Sequence, residues 1–226
     1  MDKLNASQAL FDLFLWGVIF FTLYPAHKLP YKLPKFRRVL GILLIFLFCL
    51  FPFFGGDYFH YMVSYEEAKF ANGYYHIEDV YVWIIQNICN SYLQFRVIVW
   101  GSALLLTVLA YKRLVENTDL PLFYLGVFYL PWFAYARVSL AMALIFFGLS
   151  LLAKPLEHMK KLSCIMGLGI MFSSLFFHRS AVIGIIAALG SLLLSNPKKR
   201  TVVQLVVFFP LILIVMKTLV GNFMNP

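Results

Sequence analysis

Charge is what this sequence has least of. Only 13% of its 226 residues are charged, 19 lysines and arginines against 10 aspartates and glutamates, while 62% are hydrophobic. Soluble domains carry about a quarter charged residues, so this composition, with a mean hydropathy of +0.83, excludes that class and marks an integral membrane protein. Cysteine is sparse too: Cys49, Cys89 and Cys164 are scattered with no CxxC spacing, which supports neither a disulfide framework nor a metal site. No Walker-type glycine loop, HExxH or GxSxG occurs, so energy from ATP is unsupported. Asn90-Ser-Tyr and Asn117-Thr-Asp fail the glycosylation pattern. No basic, apolar, small-residue cleavage pattern precedes the first apolar run, which therefore reads as a retained span.

The net charge of +9 falls in short clusters between apolar runs, a pattern of membrane topology and not of nucleic-acid binding. Apolar runs at 9–26, 38–54, 95–111, 120–136, 138–153, 162–177, 180–194 and 201–217 predict an all-α, polytopic membrane protein of about eight transmembrane helices in a single domain, 1–226. The loops 27–38, 112–119, 154–161 and 196–200 hold 13 of the 19 lysines and arginines and are every second loop. The positive-inside rule then puts both termini outside. The long loop 55–94 also falls outside, and its second half, with Val80, Ile84, Ile88 and Tyr92 near helical spacing, predicts a helix lying in the outer interface. Tyr74, Tyr75, Tyr81, Trp83 and Trp100 fit an interfacial aromatic belt, and Glu66, Glu67, Glu78 and Asp79 a solvated face. Asp12, near the external end of the first span, is expected to reach the interface.

Two apolar hairpins are short. A crossing pair needs about 40 residues plus a turn, whereas Leu120–Ala153 has 34 and Leu162–Leu194 has 33. The first bends at Arg137 and the second at His178-Arg179, so the bends are expected to lie below the outer membrane surface. Arg137, Gly148 and Pro155 recur 42 residues later as Arg179, Gly190 and Pro197, a faint internal repeat. Arginines at such turns also snorkel to headgroup phosphates, and a lone histidine is commonly a packing residue. Against that reading, basic and titratable groups gather on one side, opposite a loop supplying acids and tyrosines, and intramembrane ionisable groups are functional candidates by default.

Arginine forks onto phosphate oxygens and histidine takes a proton near neutral pH. Together they suit glycosyl transfer from a lipid diphosphate, with arginine stabilising the leaving group and no metal or other cofactor required. In "GGDYFHYMVSYEEAKF" helical spacing puts Asp57, His60 and Tyr61 on one face. Asp57 is a second candidate base, a sugar-binding carboxylate or a helix cap, and two ligands are too few for a metal site.

These residues also resemble a family. "GGDYFHYMVSY", "YARVSLAMALIFFGLSLLA" and "FFHRSAVIG" are similar to the EpsG family of exopolysaccharide and capsule biosynthesis proteins, which belong with the Wzy-like polymerases, over about residues 50–195. The most specific part is the ordered pair of Arg137 and then Phe177-His178-x-Ser180-Ala181. The resemblance implies a C-type glycosyltransferase-like membrane protein at the outer face of the bacterial inner membrane. Its substrates would be oligosaccharide repeats on undecaprenyl diphosphate, and a chain-length regulator and a flippase would be pathway partners beside the membrane lipids. It carries the family's arginine and histidine to Arg137 and His178, and its external aspartate to Asp57. Arg179 stands outside the family pattern and is a diphosphate-binding candidate from the turn alone. Family members usually continue with further spans beyond the equivalent of residue 220.

The sequence therefore predicts a polymerase of lipid-linked repeats, with His178 and Asp57 catalytic, Arg137 and Arg179 on the diphosphate, and His60 and Tyr61 on the substrate. A non-catalytic scaffold or regulator of a polysaccharide complex is the alternative, and a lipid-linked sugar transporter ranks below it because the ionisable groups outside the basic loops gather on one side.

Overall fold

The computed structural model describes residues 6–27, 32–50, 57–70, 79–128, 130, 136–154 and 160–194, the side chains of 6–9, 57–61, 79, 136–137 and 193–194 excepted. The expected span 201–217, the basic cluster 196–200, Pro155 and Pro197 of the repeat, and Tyr74, Tyr75 and Glu78 lie outside the described residues. Among the described residues every regular element is helical: α1 Ala6–Leu23, α2 Lys35–Leu50, α3 Asp57–Phe70, α4 Asp79–Asn87, α5 Tyr92–Leu114, α6 Asp119–Val127, α7 Ala136–Ala153, α8 Lys160–Ser173 and α9 Ala181–Leu194. Short 3₁₀ turns follow α1 at Tyr24–His27 and α8 at Ser174–Phe176. The chain divides into two compact units, Met1–Ala181 and Val182–Pro226, and α9 belongs to the second but for its first residue.

The 23-residue α5 is about 35 Å long at 1.5 Å per residue, enough for a hydrocarbon core of about 30 Å. Its start is capped twice: the Gln94 amide donates to Ser91 Oγ at 3.2 Å, and the Gln94 side chain accepts from the Asn90 amide at 2.8 Å. Lys112 and Arg113 in its last turn complement the helix dipole. Pro25 follows α1 and cannot continue its hydrogen-bond ladder.

Two helices, Leu10–His27 and Tyr92–Leu114, are long and apolar enough to cross a bilayer, and Val138–Ala153 and Ala181–Leu192 are shorter apolar helices. Within the expected run 120–136, α6 is nine residues long, about 14 Å, and residues 129 and 131–135 lie outside the described residues. Phe14, Phe21, Leu43 and Leu105 point outward, Phe21 being 75% exposed. Side chains of this kind on several helices are an anomaly in water and an ordinary surface in lipid, and the protein is a membrane protein.

Helix association without a hydrophobic driving force relies on close packing at small residues. Gly126 of α6 lies against Ile19 and Leu23 of α1 and Ile45 of α2, and Gly41 of α2 lies against Leu23. Among the described glycines the closest approach to another helix's backbone joins α7 to α8. A β-carbon on Gly148 would stand 2.5 Å from the Gly167 carbonyl and 3.0 Å from the Met171 amide nitrogen, both backbone atoms that cannot swing away. α7 packs against α5 on one side and α8 on the other, so it is the central helix of this part of the bundle.

Hydrogen bonds tie three of the basic loops together at one end. Asp119, fully buried at the start of α6, accepts from Arg38 Nε at 2.5 Å, Arg38 Nη2 at 2.9 Å and the Leu33 amide at 2.8 Å. This joins loop 27–38 to loop 112–119. Arg113 then donates to the Lys154 carbonyl, bringing in the next loop. Two opposite charges held this close in a low dielectric, with a backbone amide satisfying a further lone pair, form one hydrogen-bonded unit.

At the opposite end α3 packs on α4, with Gln86 Nε2 donating to the Ala68 carbonyl at 2.8 Å. The buried face of α4 is Tyr81, Val82, Ile85 and Cys89, whereas Ile88 and Trp83 are exposed. The stripe of Val80, Ile84 and Ile88 is therefore not the face packed into the bundle. That face is anchored by Tyr81, which packs edge-on against Phe95 of α5 at 5.9 Å and Phe177 at 5.5 Å. Asp12 also departs from expectation. It is enclosed at 0% exposure instead of reaching an interface, and neither carboxylate oxygen has a hydrogen-bond partner among the described residues.

Two outcomes are expected in detergent-solubilised protein. Gly148→Ala forces α7 and α8 apart and lowers Tm by several degrees, an overpacking cost of about 1–3 kcal/mol. Gly17→Ala, whose β-carbon meets nothing within 4 Å, leaves Tm unchanged or raises it. For the buried pair, Arg38→Ala strands the carboxylate at 0% exposure and costs more than Asp119→Ala, which strands a side chain still 31% exposed. Removing both partners recovers part of the loss, and thermal unfolding of the three variants measures it.

Candidate functional site

The hairpin between α8 and α9 turns because its serines compete for backbone carbonyls. Ser173 Oγ donates to the Ile170 carbonyl at 2.7 Å and Ser174 Oγ to the Met171 carbonyl at 2.6 Å, a pattern that loosens a helix end. The chain tightens into 3₁₀ geometry, the Phe177 and His178 amides both bond to the Ser174 carbonyl, and the Ala181 amide closes the turn on the His178 carbonyl at 2.9 Å. His178 and Arg179 therefore stand at a turn, His178 half-buried and Arg179 exposed.

The other basic residue lies at the same end. Arg137 is the second residue of α7, and α7 and α8 run antiparallel with Gly148 opposite Gly167 and Met171. Moving forward along α8 moves back along α7, so the Ser174–Phe176 turn packs on α7 toward its first turns. The backbone thus delivers Arg137 and His178-Arg179 to one end, away from the loops tied by Arg38 and Arg113. The repeat is imperfect in structure: α7 opens one residue before Arg137, whereas α9 opens two residues after Arg179.

An aromatic cluster links this turn to loop 55–94. Phe177 meets Tyr81 of α4, Tyr81 meets Phe95 of α5, and Tyr65 of α3 meets Phe95 at 6.0 Å and Tyr92 at 5.5 Å. Burial pushes the Tyr65 phenol pKa up. Lys69 Nζ donates to the Asn90 carbonyl at 3.3 Å, fastening α3 to the loop before α5. Asp57, His60 and Tyr61 fall in the first two turns of α3 with the spacing that shares a helical face, and their side chains are outside the described residues. α3 is thus joined to the turn through α4 and α5.

One ionisable residue at this end escaped the sequence reading. Arg96, 4% exposed near the start of α5, donates to the Cys49 carbonyl in the last turn of α2 and to Tyr92 Oη at 3.2 Å, and its guanidinium lies 4.4 Å from the Trp100 ring centroid. It satisfies an orphan carbonyl at a helix C-terminus, where positive charge is favoured. Its signal was present in the sequence as a cation opening the apolar run 95–111. Asp12, enclosed in α1, carries the same signal, an acid in a span where burial without a partner is costly. The three cysteines are free. Among the described residues no three His, Cys, Asp or Glu side chains converge into a metal-holding group.

An exposed arginine and a half-buried histidine are side chains whose chemistry can hold an anion and move a proton. The start of a helix such as α7 carries partial positive charge. No curated protein and no solved structure matches the chain. The profile of the EpsG family matches residues 10–225, nearly the whole length. The chain, a helical membrane protein with its basic motifs at one end of α7 and α8, belongs to the EpsG family.

Proposed function

We propose that this protein polymerises lipid-diphosphate-linked oligosaccharide repeats by glycosyl transfer at the outer face of the bacterial inner membrane, the lipid being undecaprenol. The observation that supports this reading is the antiparallel course of α7 and α8, which runs the first turn of α7, with Arg137, and the His178-Arg179 turn toward the same end, opposite the basic loops. Membership of a family whose role is polymerase-like in polysaccharide biosynthesis supports it. The positive-inside rule assigns the basic loops to the cytoplasm, and hence this end to the outer side. The short hairpin arms favour a site recessed in the headgroup region, where the diphosphate of a lipid donor lies.

In the reaction, an acceptor sugar hydroxyl oxygen attacks the anomeric carbon of the donor. The new C–O bond forms as the bond to the diphosphate breaks, and the diphosphate leaves with the electron pair. His178 takes the hydroxyl proton, Arg137 holds the departing charge, and Arg179 assists it. Asp57 serves as the second acid-base group on α3, with His60 and Tyr61 beside it binding the sugar. The leaving group gains charge in the transition state, so a fixed guanidinium stabilises that state more than the bound substrate.

The test is polymer formation in a strain that depends on this protein. Arg137→Ala and His178→Ala are each expected to lower the rate about 100-fold or more and erase the chain-length ladder, with Arg179→Ala milder. Ladders that persist at normal protein levels overturn the assignment. Purified protein given a lipid-linked repeat unit must yield longer product, which neither a scaffold nor a transporter does.

A further inference from the structure

We propose that the cleft between α2, α5 and α6 at the basic end binds the phosphate headgroup of an anionic phospholipid, with Lys35 and Lys112 as its ligands. The cleft has a volume of about 250 Å³, and its polar wall is Lys35, Arg38 and Lys112. Lys35 is the first residue of α2 and Lys112 lies in the last turn of α5. Both are exposed.

Charge accounting makes the cleft cationic. Among the described residues the structure holds one salt bridge, Arg38 to Asp119. Asp119 is fully buried and its oxygens are taken by Arg38 and the Leu33 amide, so it neutralises Arg38 and leaves both lysines uncompensated. The same bond fixes Arg38 as a rigid wall, and the first-turn amides of α2 add positive potential at Lys35.

The uncharged lining is mostly apolar, Val39 and Ile42 of α2, Val108 of α5 and Leu122 of α6, with Tyr111 and Thr118 adding two hydroxyl groups near the charged wall. A ligand that matches both halves has an anionic head and a hydrocarbon tail. Inorganic phosphate would satisfy the lysines and leave the aliphatic wall in water, whereas a phospholipid buries that wall under an acyl chain. Val39 is 55% exposed and Leu43, one turn on, 51%, so the apolar strip continues along α2 from the cleft into the lipid-facing surface. A lipid seated there bridges α2 to α5 and stabilises their packing.

The experiment titrates phosphatidylglycerol into full-length protein in neutral detergent and follows Tm, with phosphatidylcholine and inorganic phosphate as separate arms. The expected result is a saturable rise in Tm with phosphatidylglycerol alone. Lys35→Ala/Lys112→Ala is expected to shift its midpoint roughly tenfold or more to higher lipid, and Lys35→Arg/Lys112→Arg to keep it. In the wild-type protein, amine acetylation read by mass spectrometry reports the site without any variant: phosphatidylglycerol slows modification of Lys35 and Lys112, with Lys69 unaffected. Equal protection by phosphatidylcholine, equal stabilisation by inorganic phosphate, or unchanged acetylation of both lysines overturns the proposal.

Discussion

The rest of the described bundle depends on how closely α7 approaches α8. Gly148 and Gly167 let the two backbones touch, and that contact sets the register in which the Ser174–Phe176 turn lies toward the start of α7. In lipid there is no hydrophobic push to hold helices together, so a contact of this kind must be made by backbone proximity and van der Waals packing. A shift of one helical turn, about 5.4 Å, would carry His178 along α7 by the same distance. The position of the His178 turn along α7 thus depends on two glycines that carry no chemistry themselves.

The two ends of the bundle use charge in opposite ways. At the basic end a single buried pair, Arg38 with Asp119, organises loops, and the lysines around it stay exposed. At the other end the loop 55–94 is fastened through rings: Tyr65, Tyr81, Tyr92, Phe95 and Phe177 form a connected aromatic cluster. Rings need no ionic partners, and the hydrogen bonds of Lys69 and Gln86 to backbone carbonyls add to their hold.

The helical class, the basic loops and the helix starting at Asp57 were legible because each rests on local composition and spacing. The turn at His178-Arg179 was legible too, since those residues interrupt a long apolar run. The face of α4 was not. Val80, Ile84 and Ile88 give as good a stripe as Tyr81 and Ile85, and only the distant rings of Phe95 and Phe177 decide between them. The brevity of α6 was hidden for a related reason, because an apolar run shows what can be buried and not where a helix must stop. The enclosure of Asp12 is likewise tertiary, since its position near a span end fits an interfacial residue equally well.

The described arginines also sort into those engaged in structure and those left for ligands. Arg38 is held by Asp119, Arg113 by the Lys154 carbonyl, and Arg96 by the Cys49 carbonyl, Tyr92 and Trp100. Each closes a gap between two elements, and its guanidinium is already solvated by protein. Arg179 is different: it is exposed at a turn held by backbone and serine hydrogen bonds, and among the described residues it has no ion-pair partner. Removing a side chain of the first kind breaks a bond between two elements, whereas no hydrogen bond of this turn uses the Arg179 side chain. An exposed guanidinium of this kind keeps its fork of donors in water, where an anion can exchange for the solvent.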